Sequence, residues 1–83
     1  MSFPLFDFGS SPPYTQIFDY QGRTDGNPVY IGWATPGVPT SASKWRIRLI
    51  TYDSNAQVTN IQYARADVGF KFVWDNRTLL TYA

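Results

Sequence analysis

Hydrophobic and polar residues alternate along residues 44–52, and this alternation is the clearest structural signal in the chain. The apolar members share one side of an extended strand and the cations share the other: Trp45, Ile47 and Leu49 against Lys44, Arg46 and Arg48. A period of two residues is typical of a strand with one buried face. The pattern therefore predicts a strand whose tryptophan side faces a hydrophobic core.

A second strand follows after a short polar turn, so residues 44–64 predict a β-hairpin. The second strand has three apolar positions: Val58, Ile61 and Tyr63. Within the turn, the Asp53 side chain is expected to accept hydrogen bonds from backbone amides. Asn55 rather than Ala56 is expected to take the left-handed conformation, because a positive φ costs an alanine about 1 kcal/mol.

The preceding part of the chain predicts two further strands. Residues 14–20 and 29–34 are rich in β-branched and aromatic side chains, which favours strands. Gly32, inside the second of these segments, indicates a bulge or a close approach by another backbone or ring. Pro36 and Gly37 are typical of a type II turn, because proline restricts φ and glycine accepts a positive φ.

The C-terminal residues complete the predicted fold. Phe70 and Trp74 are four residues apart, as on one face of a helix, so residues 70–77 predict a short helical turn and residues 78–82 a last strand. The sequence therefore predicts an all-β protein. We expect a small antiparallel sheet, a meander or hairpin arrangement of four or five strands, with an extended N-terminal arm and at most one short helical turn.

Residues 1–13 predict an extended apolar arm that precedes a single small β domain at residues 14–83. Three phenylalanines lie in this arm, among prolines that disfavour both helices and central strands: Phe3, Phe6 and Phe8. Leaving them in water would cost roughly 2 kcal/mol each. The arm is therefore expected to pack either on its own domain or in a groove of a neighbouring chain, and the second interpretation makes the phenylalanines partner-binding residues.

The residue types present argue against catalysis and metal binding. The 83 residues include no Cys and no His, and all six acids are Asp. General acid–base catalysis near neutral pH uses His or a carboxyl or amine with a shifted pKa, and zinc or iron sites use Cys or His. Asp25, Asp53 and Asp67 lie in predicted turns, where Asp is common because it bonds to the local backbone. We expect no enzyme activity, no small-molecule substrate, no cofactor and no metal.

Charge and aromatic content leave several kinds of partner open. Lys44, Arg46 and Arg48 form a row of cations on one side of the strand, and this row predicts one of two things. The first is a solvated strand face, such as an edge strand whose charges prevent aggregation. The second is a contact with an acidic partner or with phosphates. The net charge of +1 argues against a nucleic-acid binder. Aromatic residues make up 18% of the chain, and its three tryptophans could offer flat platforms to a carbohydrate: Trp33, Trp45 and Trp74.

Targeting signals are not expected in this sequence. The longest apolar run is far shorter than the roughly 20 residues of a membrane-spanning helix. The N-terminus lacks the basic start and continuous apolar stretch of a signal peptide. We therefore expect a soluble protein that is made in a cytoplasm and has no membrane partner.

Residues 29–83 resemble a family of small proteins encoded by tailed bacteriophages. The similarity lies in YIGWATPGVP, TSA, WRIR, ITYD, a phenylalanine followed by WDNR, and LTY. The family pattern is roughly YIGxAxPGxxTSxxxWRIxxITYDxxGxV…FxxxWDxRxxxTY, and this chain departs from it at Ala56, where the family usually has glycine. The Phe-rich arm lies outside the similarity. The resemblance implies a structural role in a virion rather than a reaction.

The leading hypothesis is a virion structural protein that binds other virion proteins in many copies or as a homo-oligomer. It would be a head decoration or cement protein, or a tail adaptor or fibre-anchoring component. Six residues are predicted to bind partners: Phe3, Phe6, Phe8, Lys44, Arg46 and Arg48. The alternatives are a host-surface or glycan-binding module of a phage fibre and a small nucleic-acid-binding accessory protein.

Overall fold

A computed structural model describes residues 14–83 of the protein, which form five strands and one 3₁₀ helix. The strands are β1 (Thr15–Asp19), β2 (Tyr30–Ala34), β3 (Ser43–Tyr52), β4 (Val58–Tyr63) and β5 (Phe72–Val73), and the 3₁₀ helix spans Trp74–Leu79. The predicted arm, residues 1–13, lies outside the described residues.

The sheet is antiparallel, and β3 lies at its centre. Strands β1 to β4 are neighbours in chain order, as in a meander, whereas β5 returns to pair with the start of β3. β3 is ten residues long, so β4 pairs with its second half and β5 with its first. The predicted fold class, a small antiparallel sheet of four or five strands with at most one short helical segment, is confirmed.

The turn between β2 and β3 has the predicted type II geometry. Gly37 has a φ of 91°, and the Val38 amide donates a hydrogen bond to the Thr35 carbonyl at 3.3 Å. Glycine takes such a φ without strain, and the ring of Pro36 restricts its own φ to the value that the second position of the turn requires. Local sequence is sufficient to specify this turn.

The hairpin turn between β3 and β4 differs from the prediction at one residue. The Asp53 carboxylate accepts from the amides of Asn55 and Gln57 at 2.9 and 3.0 Å, as expected. However, the left-handed residue is Ala56, with a φ of 61°, and the prediction of Asn55 is wrong. The backbone of Asp53 also bonds to Gln57 and Ala56, at 2.9 and 3.0 Å, so the chain has to turn back at Ala56, and this requirement outweighs the preference of alanine.

One face of the sheet packs against the C-terminal segment and forms the main core. Its buried residues come from β2, β3 and the C-terminal half: Ala34, Trp45, Ile47, Ala64 and Trp74. The Trp45 and Trp74 ring centroids are 6.2 Å apart, and the Trp45 indole donates to the Pro39 carbonyl at 3.0 Å. The predicted core side of residues 44–52 is therefore confirmed at Trp45 and Ile47.

Gly32 is the point where the Trp74 ring rests on the sheet. A Cβ atom at this position would lie 2.6 and 2.8 Å from two carbons of that ring, and 3.0 Å from a methyl carbon of Ile17. The predicted close approach by a ring at Gly32 is thus confirmed. The absence of a side chain creates the space that the indole fills.

The C-terminal segment departs from the prediction in two places. The helix begins at Trp74 rather than at Phe70, because residues 72 and 73 form β5. The predicted last strand is absent: residues 78 and 79 belong to the helix, and Tyr82 makes an isolated bridge with Ala64. Phe70 contacts Tyr14 at a centroid distance of 5.0 Å, on the sheet face opposite to Trp74. The two rings therefore lie on opposite sides of the sheet, whereas residues on one face of a helix would point to the same side.

An ion pair joins β1 to the 3₁₀ helix. Arg77 Nε lies 2.6 Å from Asp19 Oδ2, with side chains 24% and 16% exposed. The Arg77 guanidinium also lies 4.6 Å from the Trp74 ring centroid. Desolvation raises the pKa of Asp19, but hydrogen bonds from Arg77 and Gln21 outweigh it, so the pKa lies below its ordinary value.

Candidate functional site

The second face of the sheet is also apolar, and two arginines of β3 lie on it. The strand register places Arg46 opposite Trp33, and Arg48 between Ile31 of β2 and Tyr63 of β4. Ile31 and Trp33 are fully buried on this face. The two inner strands of the sheet are therefore covered on both sides.

We call this surface the arginine face and define it by five residues: Trp33, Arg46, Arg48, Tyr63 and Phe70. The Arg46 guanidinium carbon lies 5.9, 5.7 and 5.4 Å from the ring centroids of Trp33, Tyr63 and Phe70. That of Arg48 lies 4.8 and 5.1 Å from the first two, and Arg48 donates to the Tyr63 hydroxyl at 2.6 Å. Each such ring contact contributes about 0.5–2 kcal/mol, so the rings hold both guanidinium groups in place.

The expectation of a solvated face, with β3 as a possible edge strand, is wrong for two of the three cations. Lys44 is exposed, but Arg46 and Arg48 are half-buried on the central strand. Ile50, which the alternation leaves outside the core side, is buried next to them. Alternation shows which residues share a side of β3, whereas the rings that cover that side come from β2, β4 and the segment after β4.

Ion pairing divides the cations of residues 14–83 into two groups. Three of them have a carboxylate partner: Arg23 with Asp25, Lys71 with Asp67, and Arg77 with Asp19. Among the same residues, four have none within 4.0 Å: Lys44, Arg46, Arg48 and Arg65. The Arg46 and Arg48 groups share two rings, so two like charges lie close together without a counter-ion from residues 14–83, which is unfavourable where water is partly excluded.

Three hydrogen-bond donors of the arginine face are buried and unpaired. They are Trp33 Nε1, Arg46 Nε and Arg48 Nε, and they are the full set of such side-chain atoms in the part of the chain that the structure describes. A buried donor without an acceptor costs about 1–3 kcal/mol, and more when it is charged. Folded proteins rarely leave such groups unpaired, so three of them on one surface make that surface a candidate binding site.

An apolar cleft of about 410 Å³ adjoins the arginine face, and Arg48 lines both. Its other walls come from β3, β4 and the loop before β2, and include Ile50, Tyr52, Val58, Ile61 and Pro28. Val58 and Ile61 are 53% and 47% exposed, which is high for β-branched side chains in a strand. The Tyr52 hydroxyl donates to the Pro28 carbonyl at 2.7 Å and holds the loop beside the cleft.

The structure brings together some of the predicted partner-binding residues. Arg46 and Arg48 share one site, Lys44 lies on the same side of β3 but is exposed, and the three phenylalanines of the arm lie outside the described residues. Sequence reasoning missed Trp33, Tyr63 and Phe70 as partners of the arginines. If the pairing of β2 with β3 had been known, the alternation of side chains along β2 would have predicted Trp33 beside Arg46. No feature of the local sequence predicts that Phe70 contacts an arginine.

Residues 14–83 contain five aspartates and no Glu, His or Cys. No group of three or more His, Cys, Asp or Glu side chains there could hold a metal ion. Asp19, Asp25 and Asp67 are in ion pairs, and Asp53 bonds to turn amides. All three tryptophans are buried, at 0%, 1% and 4% exposure, so none offers the predicted flat platform. In the same residues no helix is long and apolar enough to cross a membrane.

Comparison of the chain with family models, with curated proteins and with solved structures gave no match. The geometry of the arginine face and the resemblance of residues 29–83 are therefore the features that indicate a function.

Proposed function

We propose that this protein is a non-enzymatic structural component of a bacteriophage particle and binds other virion proteins through its arginine face. The observation that carries the proposal is that Arg46 and Arg48 lie half-buried on aromatic rings with unpaired donors and no carboxylate partner among residues 14–83. Such an arrangement costs free energy in the isolated domain. A partner that supplies acceptors would recover that free energy on binding.

The residue types of the arginine face suit a protein partner. Arg, Tyr and Trp are the residues that most often dominate the energy of protein–protein interfaces. The guanidinium groups are already oriented by Trp33 and Tyr63, so little side-chain entropy would be lost on binding. The resemblance of residues 29–83 to small tailed-phage proteins supports a virion as the assembly, with a head decoration or cement role, or a tail adaptor or fibre-anchoring role, in many copies.

Nucleic acid is the alternative ligand for the same surface, because arginines and tyrosine can bind phosphates and stack on bases. The charge available is small: neutralising three phosphates of a single strand with Lys44, Arg46 and Arg48 gives a slope of log affinity against log salt of roughly −2. Binding would be weak at physiological salt. The glycan alternative loses its tryptophan platforms, because all three rings are buried.

The test uses the full chain, produced in a host during phage infection, with particles purified on a density gradient and counted by quantitative mass spectrometry. Wild-type protein is expected at a fixed copy number per particle. The double variant R46Q/R48Q is expected to fall at least tenfold, while R65Q, which removes one charge from an exposed side chain outside the arginine face, stays within twofold. Equal incorporation of R46Q/R48Q would contradict the proposal, as would absence of the wild-type protein from particles.

A second variant tests the predicted arm, which lies outside the described residues. Deletion of residues 2–11 removes all three of its phenylalanines. If the arm binds a neighbouring chain, particles should lose the truncated protein although circular dichroism shows a folded sheet. Unchanged incorporation would leave the arginine face as the binding surface and refute the role of the arm.

A further inference from the structure

The unpaired donors of the arginine face indicate what kind of group its partner presents. Two of them are guanidinium Nε atoms, on Arg46 and Arg48, and the third is the Trp33 indole nitrogen. All three can only donate, so the missing group has to be an acceptor. The two uncompensated positive charges require that acceptor to be an anion. A planar carboxylate matches the fork of a guanidinium group and can accept from both arginines.

The adjoining cleft indicates what accompanies the anion. Arg48 lines the cleft, and most of the other lining residues are apolar, with Val58 and Ile61 about half exposed. Covering such surface contributes about 25 cal/mol per Å² of apolar area removed from water. A phosphodiester backbone would place charged and sugar groups over these side chains. A peptide can instead place a carboxylate on the arginines and a large apolar side chain in the cleft.

We propose that the arginine face and its adjoining cleft form a composite site for an acidic peptide segment of a partner protein, in which an Asp or Glu carboxylate binds Arg46 and Arg48 and a neighbouring large apolar side chain enters the cleft. This inference rests on the proposed function and specifies the partner chemistry. In an extended peptide, side chains two residues apart project to the same side. The recognised segment therefore carries its acid and its apolar residue at positions i and i+2.

The experiment titrates ¹⁵N-labelled full chain with synthetic peptides and follows the side-chain N–H signals of the three donors by NMR. The probe is acetyl-Asp-Ala-Phe-amide, and two matched peptides replace its Asp by Asn or its Phe by Gly. The expected result is a saturable downfield shift of the Arg46 Nε, Arg48 Nε and Trp33 indole signals with the first peptide. Each matched peptide should bind at least tenfold more weakly, because a charge-assisted hydrogen bond or the apolar contact is lost.

Variants locate the binding within the arginine face. R46Q and R48Q should each weaken the first peptide about 10–100-fold, the range expected for one charge-assisted hydrogen bond. R48K keeps the charge but lacks the Nε donor, so it should also lose at least tenfold, and R65Q, at an exposed cation outside the arginine face, should change by less than twofold. Dispersed backbone amide signals show in each case that the variant is folded. If R48Q fails to fold, R48K and the matched peptides still decide the outcome.

Several results would overturn the inference. Equal affinity for the Asp and Asn peptides would exclude the carboxylate, and tighter binding of a single-stranded DNA 12-mer would identify phosphate as the ligand. If the variant D7N alone shifts the three donor signals upfield before any peptide is added, the carboxylate comes from the chain itself. If R46Q/R48Q is lost from particles but no peptide shifts the three donor signals of the wild-type protein, this inference is refuted and the proposed function still holds.

Discussion

Replacing Gly32 by alanine should destabilise the protein, although alanine is normally the better residue inside a strand. The new Cβ would lie 2.6 and 2.8 Å from two ring carbons of Trp74 and 3.0 Å from a methyl carbon of Ile17. Carbon atoms in ordinary contact are about 3.5–4.0 Å apart. The Trp74 ring therefore has to move by about 1 Å, or the strand has to bend away from it.

Neither movement is free, because the Trp74 ring is held from several directions. It is 4% exposed, packs 6.2 Å from the Trp45 ring, and lies under the Arg77 guanidinium. Overpacking of this kind costs about 1–3 kcal/mol. Alanine also restricts the unfolded chain, which stabilises by about 0.4–1 kcal/mol. We therefore expect G32A to lower the free energy of unfolding by about 1–2 kcal/mol and the midpoint temperature by roughly 4–16 °C.

The assay is equilibrium unfolding in urea, followed by far-ultraviolet circular dichroism so that the readout does not depend on Trp74. Four proteins form a double-mutant cycle: wild type, G32A, W74L and G32A/W74L. Leucine leaves space over residue 32, so G32A should cost at least 1 kcal/mol less in the W74L background. The control is G26A, because a Cβ at Gly26 would meet nothing within 4 Å while its φ of 80° is strained for alanine. The cost of G26A should not depend on residue 74.

Two outcomes would refute this reasoning. G32A could be as stable as the wild type, which would mean that the indole does not rest on the glycine. Alternatively, the cost of G32A could be the same with tryptophan and with leucine at position 74, which would place the strain elsewhere.

Three further predictions concern stability and use the same unfolding assay. A56G should stabilise by about 1 kcal/mol because the φ of 61° suits glycine, and S54G, in the same turn, should not. The pKa of Asp19 is lowered in the folded state, so the contribution of its carboxylate to the free energy of unfolding is present above the unfolded pKa near 4 and is lost as the pH falls through the folded pKa. D19N should therefore lose less stability between neutral and acidic pH than the wild type, and an equal loss in D19N would contradict this prediction. Y52F should cost about 1 kcal/mol by removing the hydrogen bond to Pro28, and no loss in Y52F would show that bond to be unimportant.

Local sequence determined strands β1 to β4 and the type II turn, whereas β5 lies where a helical turn was predicted. The period of two in residues 44–52 located β3 within one residue of its observed start, and Pro36 with Gly37 specified the type II turn. These features depend on backbone geometry and on nearest neighbours along the chain, which the sequence carries directly. Gly32 also signalled a close approach, because a glycine in a strand is otherwise unfavourable.

Features that depend on distant residues were not predictable in the same way. Ala56 takes a positive φ because the loop has to close on β4, and Phe70 lies apart from Trp74 because the two rings pack on opposite sides of the sheet. In both places, the requirement of the assembled sheet outweighs the local preference on which the prediction depended.

The sequence by itself determined that Lys44, Arg46 and Arg48 share one side of β3, because side chains alternate along any strand. Only the tertiary structure decided what covers that side. Pairing brings Trp33 and Tyr63 next to the arginines from strands that are distant in the chain, and no described acid comes with them. A stripe of charge that would be ordinary in water thereby becomes a half-buried cationic surface with unpaired donors, and the candidate site follows from that long-range pairing.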